Sequence, residues 1–135
     1  MERTISVLGD VKDLGELLDG ARIDAARIVP LGGRLQLEME LTRAMPERQR
    51  VVRQGLFRRV KTPWVKSRLM LNQITDVTVQ RMSDTPAEQQ PLLACDAIPG
   101  GYRFVVTAPD GLQLQLTLEQ LSGNFADISA TIESP

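Results

Sequence analysis

Leu35, Leu37, Met39 and Leu41 alternate with Gln36, Glu38, Glu40 and Thr42. Successive side chains of an extended chain point to opposite sides, so this run predicts a strand with one apolar and one polar face. Leu112, Leu114, Leu116 and Leu118 repeat the pattern against Gln113, Gln115, Thr117 and Glu119. Residues 21–30, 68–82 and 102–107 are strand-like too, the first ended by Pro30 and the glycine pair Gly32-Gly33. Pro109-Asp110-Gly111 suits the tight connection between two strands. Residues 83–91, polar and bounded by proline, read as an exposed loop. Asp76 interrupts a good strand and marks a bulge or a strand end. Residues 1–8 form a weak first strand, 122–124 a turn or bulge, and 125–132 a last strand.

The rhythm changes once. Val11, Leu14, Leu17 and Leu18 recur at spacings that place them on one face of a short helix, with Asp10 as its N-cap and Gly20 as its stop. Gly15 in its middle costs about 1 kcal/mol relative to alanine. The elements together predict a mainly β fold: an antiparallel β-sandwich or a strongly curved or closed sheet of about six or seven strands, with one short N-terminal helix. The expected organisation is one β-rich domain over residues 1–135, with a basic excursion at residues 43–68.

Composition narrows the chemistry. The chain has 135 residues, 42% of them apolar, which is enough to bury a core. It has no histidine, which removes the commonest general base, the commonest zinc ligand and the serine–histidine triad. No glycine-rich phosphate loop is present. Asp24, Glu38, Glu40, Asp76, Asp96 and Asp110 are the carboxylates available for acid–base work, but alternation puts Glu38 and Glu40 on the solvent face of their strand. The expectation is a protein that is not an enzyme and takes no cofactor and no metal. Cys95, the single cysteine, sits among apolar residues in the run Leu92–Pro99, where a buried thiol is inert. No apolar run follows basic residues at the N-terminus and no stretch approaches about 18 apolar residues, so a cytoplasmic protein without membrane attachment is expected.

The charge is uneven. Between Thr42 and Arg68 stand nine basic residues and one acid, Glu47, although the whole chain has a net charge of −1. The molecule is an acidic body with one basic segment. That segment fits neither period: as a helix it is interrupted by Gly55 and by Arg59 in the apolar stripe, and as a strand it alternates only in part. It therefore reads as a loop or a long excursion between two strands. Its composition makes it the candidate contact element, with Arg48, Arg50, Arg53, Phe57, Arg58, Arg59, Lys61, Trp64, Lys66 and Arg68 as candidate residues. Arginine and aromatic side chains carry interface energy out of proportion to their number, so Trp64 and Phe57 are the expected anchors. The expected function is a non-enzymatic binding or assembly module that contacts a protein partner or a second copy of itself (a homo-oligomer). Single-stranded nucleic acid bound through the same segment is the runner-up, since guanidiniums grip phosphate and aromatics stack on bases. It ranks second because the body is acidic, with a sequence pI near 5.5. The structural alternatives are charge that blunts a sheet edge and a tryptophan that packs in the core.

Overall fold

In the computed structural model the chain runs β1 (Glu2–Ile5), α1 (Leu8–Leu17), β2 (Arg22–Leu31), β3 (Arg34–Ala44), β4 (Arg50–Gln54), β5 (Phe57–Lys61), β6 (Trp64–Arg81), β7 (Leu93–Ile98), β8 (Gly101–Thr107), β9 (Leu112–Leu118) and β10 (Gly123–Asp127). The residues described are 2–45, 50–54, 57–61, 63–81, 91–108 and 110–128. The polar stretch expected as a loop at 83–91 lies outside them except for Pro91, and 129–132 of the expected last strand lie outside them too.

Eight strands form one antiparallel sheet, ordered β1-β10-β6-β9-β8-β7, with β3 on the other edge of β6 and β2 beyond β3. The sheet curls into a half-barrel of six strands. The curved-sheet form of the expectation is therefore the one found, rather than two stacked layers. More strands are present than expected, because β7 and the pair β4–β5 carry no clean alternation.

The curl is written into β6, an 18-residue strand. Its first part pairs with β3 along one edge and β10 along the other, and its last part pairs with β9. Strict alternation would turn every second residue inward. Instead Leu71 and Ile74 are both wholly buried, and Val77 packs on the same core, at spacings of three. Two irregularities accommodate this: Gln73 takes a left-handed backbone, φ 60°, and the register with β9 shifts between Ile74 and Asp76. An extra residue bends a strand and tightens its twist. The expected bulge beside Asp76 is thus real, and it turns β6 from one wall of the half-barrel into the other.

The core lies in the concavity. Leu37, Met39 and Leu41 of β3 stand beside Leu69 and Leu71 of β6, with Leu37 opposite Leu71 and Met39 opposite Leu69. Leu116 and Leu118 of β9, Phe104 of β8 and Phe125 of β10 complete the walls, all wholly buried. Burying one such side chain contributes roughly 1.5–3 kcal/mol. Helix α1 caps part of the concavity with Val11 and Leu14, and Leu18 follows just after it. Asp10 is the third residue of this helix rather than its N-cap. Its carboxylate still closes the helix start, accepting bonds from the backbone N–H of Ser6 at 2.9 Å and of Val7 at 3.1 Å. These bonds to the charged form hold the Asp10 carboxyl below its ordinary pKa.

Candidate binding hairpin

The basic segment resolves into three parts. Its first residues, Arg43 and Ala44, end β3, and its last, Trp64–Arg68, begin β6, with Arg43 opposite Val65 and Ala44 opposite Trp64. The ladder closes where the N–H of Met45 donates to the carbonyl of Pro63 at 2.7 Å. Beyond that bond the chain makes an excursion that includes the hairpin β4–β5. The tract expected as an irregular excursion therefore contains two strands, and β-branched Val51, Val52 and Val60 favour that conformation. Arg48, with Glu47, lies outside the described residues.

β4 and β5 form a two-stranded sheet of their own, with no third strand beside it among the described residues. In register, Arg50 stands opposite Lys61, Val51 opposite Val60, Val52 opposite Arg59, Arg53 opposite Arg58 and Gln54 opposite Phe57. Residues 50–61 hold five bases and no acid. Two of the five cross-strand pairs thus set like charges directly opposite each other, an arrangement that destabilises a ribbon. A lone two-stranded hairpin is marginal in water to begin with.

The root beneath the hairpin is built differently. Arg43 continues the row Leu37, Met39, Leu41 on the inner face of β3 and is wholly buried. Its Nε and Nη2 donate to the two carboxylate oxygens of Asp127 on β10 at 3.1 and 3.0 Å, and its Nη1 donates to the carbonyl of Ala44 at 3.2 Å. Ser67 Oγ, also buried, donates to Asp127 at 2.7 Å. Burial pushes the Asp127 carboxyl up; the bonds from Arg43 and Ser67 and the guanidinium charge outweigh it and hold the carboxyl below its ordinary pKa. This forked pair ties β3, β6 and β10 together at the point from which the hairpin leaves.

The remaining bases of the segment stand on the body of the sheet. Arg68, exposed, pairs with Glu40 at 3.4 Å across the β3–β6 ladder. Lys66, exposed, stands near Asp24, whose carboxyl is pushed up by burial and brought below its ordinary pKa by Thr42, Arg22 and the Lys66 charge. Trp64 is half-buried at the root. Of the ten candidates, Arg48 lies outside the described residues; Arg50, Arg53, Phe57, Arg58, Arg59 and Lys61 share the hairpin, Trp64 sits at its root, and Lys66 and Arg68 are on the outer face of the main sheet.

The carboxylates are dispersed. Glu38 pairs with Arg27, Asp96 with Arg103, and Asp110 accepts the N–H of Leu112. No three of the described Asp, Glu or Cys side chains come together to hold a metal ion. Burial, aided by Asp96, pushes the half-buried Cys95 thiol up to about 11. Among the described residues no helix is long and apolar enough to cross a membrane. Sequence reasoning missed the Arg43–Asp127 clamp, although one signal was present: Arg43 falls on the leucine-bearing parity of its strand. Comparison of the chain with protein-family models, curated proteins and solved structures found no match.

Proposed function

We propose that this protein is a non-enzymatic binding module that presents the hairpin β4–β5 to an acidic surface of a protein partner. The observation that carries the reading is the register of that hairpin. Arg50 against Lys61 and Arg53 against Arg58 leave repulsion that an opposing negative surface relieves. Phe57 and the valines of β4 and β5 stand among the charges in sequence, a composition suited to a protein interface. The acidic remainder of the chain disfavours a polyphosphate lying across the body. The clamp at the root gives the hairpin a rigid base, as a contact element needs.

The test is fluorescence anisotropy of two labelled probes of equal charge, an acidic peptide containing aromatic residues and a random single-stranded RNA, at low and physiological salt. The expected result is tighter binding of the peptide, retained in part at physiological salt and lost in Arg53→Glu/Arg58→Glu. RNA binding that exceeds the peptide's and falls steeply with salt replaces the protein partner by nucleic acid. Binding of neither probe removes the proposal.

A further inference from the structure

β2 is the longest open edge of the main sheet. Among the described residues its ten residues, Arg22–Leu31, pair only with β3, and no strand stands on its other side. The other edges are less available: β1 has four residues, and α1 packs against β7 closely enough that a Cβ added at Gly15 would lie 3.3 Å from the Leu93 carbonyl oxygen. A row of unpaired backbone groups of this length is a template for another strand.

The side chains of β2 read as complementary to themselves. Pairing with β3 sorts them by face. Ile23 stands opposite Leu41, Ala26 opposite Met39 and Ile28 opposite Leu37, so these three look into the concavity. Ala25 and Arg27 stand opposite Glu40 and Glu38 on the outer face, and Asp24 is the extra residue of a register shift between Ile23 and Ala25. An antiparallel second β2, related by a two-fold axis through Ala26, keeps every face matched. Ala26 meets Ala26 of the second copy, Arg27 meets Ala25, and, once the extra residue is passed, Ile28 meets Ile23. Each Arg27, paired with Glu38 in its own chain, then lies beside the Asp24 of the other copy, which holds Arg22 and Thr42 of its own chain. The centre holds only the small, exposed Ala25 and Ala26, so the backbones can approach. The isoleucines flank an apolar cleft of about 240 Å³ between β2 and the residues Val79, Leu112 and Leu114, and the pairing extends its wall. Pro30, with no N–H to donate, ends the ladder.

We infer that two copies of this chain join edge to edge through β2, with Ala26 at the two-fold axis. The contact is isologous, as a closed dimer requires. It is a different surface from the hairpin, and it stands whether or not the hairpin binds an acidic partner.

The test uses the full chain carrying Cys95→Ser, to which either Ala26→Cys or Ala25→Cys is added. Directly opposed cysteines in an antiparallel pair come within disulfide reach, whereas Ala25 faces Arg27. The expected result is a solution mass of two chains, with oxidative crosslinking of Ala26→Cys faster than of Ala25→Cys by roughly ten-fold or more. Arg27→Asp, which sets two acids side by side across the seam, should return the mass to one chain while circular dichroism stays unchanged. A mass of one chain at micromolar and millimolar concentration overturns the inference. So does a two-chain mass in which Ala26→Cys crosslinks no faster than Ala25→Cys, or one that depends on the hairpin instead.

Discussion

Arg43 and Asp127, 84 residues apart in sequence, meet as a forked ion pair at 3.0 and 3.1 Å, with the arginine wholly inside the protein. The pair occupies the position on β3 where another leucine would continue the core. Its energetics follow from burial. A charge taken out of water is tolerated only while its partner and its remaining hydrogen bonds are present.

Removing one partner should therefore be worse than removing both. Asp127→Ala is expected to lower the unfolding free energy by about 3–5 kcal/mol, and Arg43→Met/Asp127→Ala by clearly less. Urea denaturation of the two single variants and the double variant gives the coupling. Additive losses would show that the two side chains act independently.

Asp127 also sets a pH dependence. Its pKa in the folded protein lies below the ordinary carboxylate value, so the unfolded chain binds its proton first as pH falls. The stability that it supplies is complete above the unfolded value, near 3.9, and is lost as pH drops through the lower folded value. Neutral pH leaves the clamp intact. Thermal melts between pH 6 and 2 should show a decline on the acid side that is shallower in Asp127→Asn, whose side chain does not titrate over that range.

The hairpin should be separable from the fold. The β3–β6 ladder already closes at the Met45–Pro63 hydrogen bond, so replacing residues 46–62 by Asn-Gly, with Pro63→Thr to supply the N–H that closes the turn, offers a two-residue turn where a ladder ends. The shortened protein is expected to keep its circular dichroism and to melt within a few degrees of the parent, while binding of the acidic peptide disappears. Loss of folding would show that the excursion contributes to the core.

A single charge change separates hairpin stability from hairpin recognition. Arg53→Glu puts an acid opposite Arg58 and replaces a repulsive pair by an attractive one, a gain of roughly 0.2–1 kcal/mol for the ribbon. Amide exchange over residues 50–61 should slow, while affinity for the acidic peptide falls. Slower exchange together with a rise in affinity would mean that ordering of the ribbon, rather than its charge, limits binding.

Two glycines should respond in opposite senses. A Cβ at Gly123, opposite Leu71 in the β10–β6 ladder, would collide with the carbonyl oxygen of Met70, so Gly123→Ala should destabilise the protein by a few kcal/mol. Gly9, in α1, has nothing within 4 Å of an added Cβ, and Gly9→Ala should raise stability by about 0.4–1 kcal/mol. Denaturation midpoints of the two variants check both.

Period-two alternation is a local property, and it alone determined β3 and β9, their buried leucines, and the mainly β class. The spacing of Val11, Leu14 and Leu18 likewise determined the helix. Charge counting isolated the basic segment. None of these signals reaches across the chain. β4 and β5 stayed hidden because valines and arginines are mixed along each strand, so neither run alternates cleanly. β7 stayed hidden because Asp96 and the small Ala94 and Ala97 blur its pattern. The bend of β6 depends on Gln73 and the shift beside Asp76, where the inward residues fall three apart and the period breaks. Which bases are held by the body and which lie on the hairpin was decided only when β10 came to lie beside β6. That pairing brings Asp127 to Arg43, as the β3–β6 pairing brings Glu40 to Arg68. The sequence by itself thus determined the elements and the imbalance of charge. The tertiary structure decided how that charge is distributed, because an ion pair requires two residues within a few ångströms, and only the curled sheet sets those distances.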